Sequence, residues 1–378
     1  MINFIHWLAE RHRLLPHVNC RRVACQLLTG TLVIALLTAC SASTDSHHNE
    51  QYFDSESELL SRTEEELIDY DEEITVLKYG HSQTEDHPFH LSALYLSEIV
   101  KERTNGRVHI DVYSNNSLGD EISLLKGIAV GSVDMGSVAT GNMSAVVKDF
   151  AVFEIPYLFS DYNHVDAALR DGAASRYMEE AAQKHGITIL SWSESGFRHF
   201  LNAQKNIYLP TDLAGMNVRT PEWGIFANVC NSFGAKVISM PFSEVYTASQ
   251  HGIIDAQEGP LMAFVTGNMY ETMKYLTLDS HIYAGDCKII SNQSLSLLSE
   301  EDQEILAQAT YEAGEYQREM IRSTESRYLQ QLKDFGVTVV EQVDKSAWQE
   351  ACDFVYEKYS DQLNMHLVDL IKSANPDL

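Results

Sequence analysis

Between Ser299 and Phe335 the chain carries no proline. The run opens with Ser299-Glu300-Glu301-Asp302, which has the form of a helix capping box with Asp in place of Glu or Gln, and Gly336 follows it as a stop. One helix of about 36 residues would be roughly 54 Å long at a rise of 1.5 Å per residue, longer than one small lobe is wide. In a chain without coiled-coil repeats, such an element is expected to span two lobes, and Gly314 inside it marks a candidate bend.

Ahead of this helix, strands alternate with helical runs. Val76-Leu77-Lys78-Tyr79-Gly80-His81 reads as a strand, Pro88 opens a helix that Asn105-Gly106 stops, and Val108, Ile110 and Val112 alternate as a second strand. Ser117-Leu118-Gly119-Asp120-Glu121 then leads into a further helix that ends near Gly131. Ile187 to Trp192, Met216 to Arg219 and Ile253 to Ala256 are further strands, the last followed by a turn at Gln257-Glu258-Gly259-Pro260. This βα rhythm predicts open α/β sheets, whose ligands gather at the carboxyl ends of the strands. Phe153-Glu154-Ile155-Pro156-Tyr157-Leu158-Phe159 is aromatic and broken by proline, so it is expected to be a loop beside the site.

A length of 378 residues suggests two or three domains, and 44% hydrophobic with 21% charged residues is a globular composition. The formal net charge of −27 excludes a nucleic-acid partner, which would require clustered Lys and Arg. From Ser41 to Thr75 twelve acids face a single base, Arg62, and this run reads as a solvated tether. Before it, Arg11, Arg13, Arg21 and Arg22 precede an apolar core from Leu27 to Leu37 and the sequence Leu37-Thr38-Ala39-Cys40. That is the pattern of a lipoprotein signal peptide, in which Cys40 becomes the lipid-bearing first residue of the mature protein; a short anchor helix with an incidental cysteine is the alternative. Cys230, Cys287 and Cys352 lack metal-ligand spacing and read as buried small residues.

No phosphate-binding glycine loop, His-Glu-x-x-His, Cys-x-x-Cys or Gly-x-Ser-x-Gly is present. His81, His87 and His90 cluster in sequence, and a loop entering an amphipathic helix accounts for them more simply than a metal site. Two arginines stand out. Arg219 lies inside the uncharged run Gly215-Met216-Asn217-Val218-Arg219-Thr220-Pro221-Glu222-Trp223, where it is either an anion clamp or a strand residue aimed at water. Arg198, in Gly196-Phe197-Arg198-His199-Phe200, falls just past a strand end, where a surface ion pair is the ordinary role.

Gly196-Phe197-Arg198, the run from Gly215 to Pro221, Met240-Pro241-Phe242-Ser243-Glu244-Val245-Tyr246 and Asp255-Ala256-Gln257-Glu258 together resemble the substrate-binding proteins of tripartite ATP-independent periplasmic (TRAP) transporters. Leu118-Gly119-Asp120-Glu121 and Ile155-Pro156-Tyr157-Leu158-Phe159 stand in the expected order, and the likeness runs from Leu77 to about the carboxyl terminus. The resemblance implies a two-lobed periplasmic-binding-protein-like fold with a long helix across both lobes. Lobe I would be residues 76–195 plus 285–324 and lobe II 196–284 plus 325–378, behind a signal peptide at 1–40 and a tether at 41–75.

It further implies that Arg219 makes a two-pronged salt bridge to a substrate carboxylate, with Arg198 in support. Phe242 closes on the ligand, Glu121 faces its hydroxyl groups, and His81 and Ser82 touch it from the first strand's loop. Glu258 belongs to the same motif. Gly259 stands where many members have asparagine, so that contact must come from water or another residue. Together with the lipid anchor read from Cys40, the resemblance implies an extracytoplasmic, monomeric receptor without cofactor or catalysis that delivers a small organic acid to a membrane permease. His81-Ser82-Gln83-Thr84-Glu85-Asp86-His87-Pro88 looks like members that bind hexuronates, which puts a sugar acid first and a C4-dicarboxylate second. Two other readings stay open at this point: a receptor that presents its ligand to a sensor kinase, and a secreted enzyme with Glu121 and Glu258 as a glycosidase-type carboxylate pair.

Overall fold

Residues 74–170, 172–221 and 224–377 are described by the computed structural model; the signal segment with Cys40, the tether as far as residue 73, and Glu222 and Trp223 lie outside the described residues. In chain order the strands and longer helices are β1 (Thr75–Gly80), α1 (Pro88–Arg103), β2 (Val108–Tyr113), α2 (Glu121–Ala129), β3 (Met135–Ala139), α3 (Tyr162–Leu169), α4 (Ala173–Gln183) and β4 (Ile187–Asn202). There follow β5 (Asn217–Thr220), α5 (Gly224–Ser232), β6 (Lys236–Ser239), α6 (Phe242–Gln250), β7 (Ala256–Pro260), α7 (Leu261–Thr266) and β8 (Tyr275–Ser291). The chain ends with α8 (Glu300–Asp334), β9 (Thr338–Val340), α9 (Lys345–Glu350), α10 (Phe354–Lys358) and α11 (Met365–Ser373).

The local signals act as physical chemistry requires. Pro88 occupies the first turn of α1, where its missing N–H costs nothing, and His87 Nδ1 caps the helix by accepting from Phe89 N at 3.1 Å. Ser299 Oγ accepts from Asp302 N at 3.1 Å at the mouth of α8 and donates to Asp302 Oδ2 at 2.9 Å.

The strands form one sheet in the order β2-β1-β3-β8-β4-β7-β5-β6, with β9 beside β8. The open sheets expected from the βα rhythm are the two parallel wings of this sheet, β2-β1-β3 and β7-β5-β6. Between them β4 and β8 run antiparallel and join both wings. Their 16 and 17 residues extend roughly 53–56 Å at about 3.3 Å per residue. The 35 residues of α8 extend roughly 52 Å. One helix therefore matches the length of the strands it lies along.

Apolar clusters pack both wings: Leu77, Leu96, Ile110 and Leu306 on one, Leu201, Val245, Phe264 and Leu332 on the other. The middle of α8 is pinned by polar groups instead. Gln317 Oε1 accepts from Lys288 Nζ (2.7 Å) and Ser92 Oγ (2.9 Å), while its Nε2 donates to Glu194 O (3.1 Å). Arg322 forks onto the buried Glu194 carboxylate at 2.6 and 2.9 Å. The carboxyl-terminal segment touches distant parts of the fold: Trp348 of α9 stacks on Phe200 of β4 at 5.7 Å, and His164 Nε2 of α3 donates to Ile371 O of α11 at 2.7 Å.

Several sequence expectations need correction. Arg198 is not beyond a strand end but inside β4, because the apparent terminator Gly196 sits at a bulge with φ 94°, where the pairing with β8 shifts register and resumes. Gln257 to Pro260 is not a turn; it is the buried strand β7, held by β4 on one side and β5 on the other, with Pro260 at its last position. Gly314 marks no interruption in α8. A Cβ there would lie 2.0 Å from Ser191 Oγ, so the glycine lets the helix approach β4 closely. Phe153 to Phe159 does not line the site: Phe153 and Phe159 stack at 5.9 Å in the core, with Phe153 also against Trp192 at 6.2 Å. By contrast, Cys230, Cys287 and Cys352 are buried free thiols, as their spacing suggests.

Candidate functional site

The carboxyl ends of the parallel strands in both wings open onto one cleft of about 1020 Å³ including its mouth. The β2-β1-β3 wing contributes Ser82 and Gln83 after β1, Glu121 at the start of α2, Ala139 at the end of β3 and Asn142 after it. The opposite wing contributes Arg219 from β5, Met240 and Phe242 at the β6–α6 junction, and Gln257 to Pro260 from β7. Arg198, Ser195 and Ala284 come from the two joining strands. Of the residues singled out in the sequence, Arg219, Arg198, Glu121, Phe242, Ser82, Gly259 and Glu258 meet at this cleft.

Arg219 is 4% exposed, which rules out a strand residue aimed at water. Its Nε and Nη2 both donate to the carbonyl of Met240, at 3.1 and 2.7 Å, and this fixes the plane of the guanidinium. Arg198 is also buried, and its pair is not a surface one: Nε and Nη2 fork onto the two Glu258 carboxylate oxygens, and Nη2 also donates to Glu258 O at 3.1 Å.

Glu258 is fully buried; burial alone would raise its pKa, but the Arg198 charge and hydrogen bonds, helped by His281, hold it down at about 2. A carboxylate kept ionised in this way cannot serve as the general acid of a glycosidase pair. His281 Nε2 lies 3.3 Å from Glu258 Oε2 and its Nδ1 2.7 Å from Asp279 Oδ2. The imidazole is sandwiched between Phe200 and Phe226, at 4.5 and 5.0 Å. Burial alone would lower its pKa, and Asp279, followed by Glu258, raises it instead.

Across the cleft Glu121 organises a polar wall. Its Oε1 accepts from Ser82 Oγ at 2.5 Å, and Oε2 accepts from Asn142 Nδ2 at 2.7 Å and Ala139 N at 3.1 Å. Gln83 Nε2 extends the chain by donating to Ser82 Oγ at 2.9 Å. Gly259 lines the opposite wall, where a Cβ would meet Phe264 Cε1 at 3.3 Å.

His81 is not part of the cleft lining. It follows β1 in extended chain and shares a face with Tyr79, so it turns inward beneath α1, within 3.1 Å of His90 Nδ1 through its Nε2. Its Nδ1 accepts from Gln83 N at 3.2 Å, which steadies the loop that does line the cleft. Burial, then His90 and Lys288, lower its pKa to about 3, so it stays neutral. Sequence reasoning missed Asn142, Gln257, His281 and Asp279. The available signal was polar residues at alternate positions of apolar strands, as in Asp279 and His281.

A model of the family described as bacterial extracellular solute-binding protein, family 7, matches residues 79–362. The chain is 28% identical over 275 residues to the 2,3-diketo-L-gulonate-binding periplasmic protein YiaO of Escherichia coli (strain K12), covering 73% of this chain and 84% of that protein. It is 28% identical over 306 residues to the C4-dicarboxylate-binding periplasmic protein DctP of Rhodobacter capsulatus, covering 80% and 91%. Among crystal structures, it resembles a TRAP periplasmic solute-binding protein from Sulfitobacter sp. NAS-14.1 with bound β-D-galacturonate, with a TM-score of 0.76 and 28% identity over 79% of this chain and all of that one. The sugar acid binding protein DctPAm of Advenella mimigardefordensis, in complex with galactonate, gives a TM-score of 0.76 at 25% identity, covering 80% and 99%.

The site makes a pH prediction. Stability from the depressed Glu258 is present above its ordinary value of 4.5 and is lost as pH falls from there toward about 2. Stability from the raised His281 is present below its ordinary 6.5 and is lost as pH climbs through its higher folded value. The difference in urea midpoint between wild type and Glu258→Gln should therefore be full above about pH 4.5 and shrink as pH falls toward about 2. Glu258→Gln should flatten the acid limb and, by stranding Arg198, cost about 3–5 kcal/mol at neutral pH. An unaltered pH profile in that variant would contradict the assignment.

Proposed function

The chain belongs to family 7 of the bacterial extracellular solute-binding proteins, and from that premise we propose that it captures a sugar acid in its cleft and delivers it to the membrane subunits of an ion-gradient-driven TRAP permease. The observation that carries this reading is the pair of buried guanidiniums that line one cleft, Arg219 braced by a carbonyl and Arg198 braced by a carboxylate. A guanidinium held in a fixed plane matches a carboxylate two-prong to two-prong, and the pairing strengthens as water leaves a closing cleft.

In this reading Arg219 takes the ligand carboxylate and Arg198 supports it, while Phe242 packs against the ligand body. The far end of the ligand meets the wall built on Glu121, Ser82 and Asn142. Hydroxyl groups suit that wall, whereas a second carboxylate would face the Glu121 carboxylate and be repelled. A hexuronate or related sugar acid is therefore favoured over a C4-dicarboxylate, in keeping with the galacturonate and galactonate bound by similar structures.

Closure would bring residues 76–195 plus 285–324 toward 196–284 plus 325–378, with β4, β8 and α8 as the shared elements. The receptor would act as a monomer, tethered by 41–75 and anchored by lipid on Cys40 at the outer side of the cell membrane. Cys40→Ser should release it from the membrane fraction, and retention there would argue against the anchor. Arg219→Ala should weaken binding of the preferred acid about thirty-fold or more with unfolding unchanged, and Arg219→Lys should bind poorly too, since an ammonium lacks the fork. Calorimetric titration reads both variants; wild-type affinity in Arg219→Ala would sink the assignment.

A further inference from the structure

β5 and β7 run parallel in a register that sets Arg219 opposite Gln257. Residues opposite one another on neighbouring strands project from the same face of a sheet. The Gln257 carboxamide thus stands beside the Arg219 guanidinium, and both residues line the cleft.

Gln257 is 1% exposed, yet among the described residues no acceptor lies within hydrogen-bonding reach of its Nε2. An amide N–H buried without an acceptor costs about 1–3 kcal/mol, and such groups are rare in folded proteins. Packing does not account for a glutamine here. Its neighbour on β4 is Leu201, and that face is filled by Leu201, Met240 and Phe264, so an apolar side chain of the same length would pack as well. The next residue of β7 on this face is Gly259, which lines the cleft and has no side chain to stand between the carboxamide and the ligand space.

We propose that Gln257 is a ligand-binding residue: its Nε2–H donates to the carboxylate that Arg219 holds. The inference rests on the receptor reading above and deepens it. Arg219 provides charge and a fork, and Gln257 adds a neutral donor at its flank, so three N–H groups converge on one carboxylate. Such a set rewards two acceptor oxygens on a single carbon and discriminates against esters and amides of the same acid. Glu258, Arg198 and Pro260 belong to the other face of β7 and β4 and leave this role to Gln257.

The test uses two substitutions with D-galacturonate and D-glucuronate as probes. Gln257→Met keeps length and loses the donor. Because Nε2 makes no hydrogen bond in the protein, the unliganded variant should melt at or above the wild-type temperature, while its Kd for the better probe rises about tenfold or more. Gln257→Glu keeps the shape and turns the donor into a charged acceptor. At about pH 8 its Kd should rise about 100-fold, because an acceptor-only carboxylate then faces the ligand carboxylate. A Kd within about twofold of wild type in Gln257→Met or in Gln257→Glu overturns the inference while the receptor reading stands. Failure of the wild type to bind either probe overturns both.

Discussion

Taking a guanidinium out of water is tolerable only where something fixed meets its N–H groups, and the binding wall depends on that condition being met twice. Arg198 is met by Glu258, which is in turn met by His281, and His281 by Asp279, in one buried hydrogen-bonded row. Arg219 is met by the carbonyl of Met240. Without Glu258 the Arg198 cation would be buried with no counter-charge. With it, Arg198 becomes a neutralised brace. A protein of net charge −27 repels anions at long range, so capture relies on this short-range arrangement, within a Debye length of about 8–10 Å.

The wall can be built this way because two long strands pass from one wing to the other. Arg198 and Ala284 line the cleft from β4 and β8, and the bulge between Glu194 and Gly196 carries Ser195 into it. α8 has the length of these strands and is pinned to them in its middle by Gln317 and Arg322 rather than by an apolar stripe. Directional bonds set one register where a greasy contact would permit sliding. Gly314, pressed against Ser191, adds a steric stop of the same kind.

Much of this was legible in residue order. The first strands, α1 with its proline and α8 with its cap all follow from local chemistry that tertiary contacts reinforce, whereas Arg219 stands out only as an anion clamp or a strand residue aimed at water. Where reading failed, neighbours distant in sequence decided the outcome. Gly259 and Pro260 are turn residues by habit, but pairing with His199 and Arg198 of β4 holds them extended. Gly196 looked like a terminator because a bulge and a strand end have the same local signature. His81 lies where a ligand loop begins, and the face it shares with Tyr79 turns it inward. The roles of Gln257 and His281 depend on cross-strand partners, which a linear reading cannot supply. The lack of a side chain at Gly259 becomes intelligible once Gln257 is seen beside Arg219.

The most direct test of a carboxylate-reading cleft is titration calorimetry of the wild-type protein with D-galacturonate and with D-galactose, which differ only in the carboxylate at one end. The account predicts that the acid binds and that the neutral sugar binds at least about 100-fold more weakly. Equal affinity for the two, or no sugar acid binding more tightly than ~1 mM, equivalent to only about 4 kcal/mol, would contradict it.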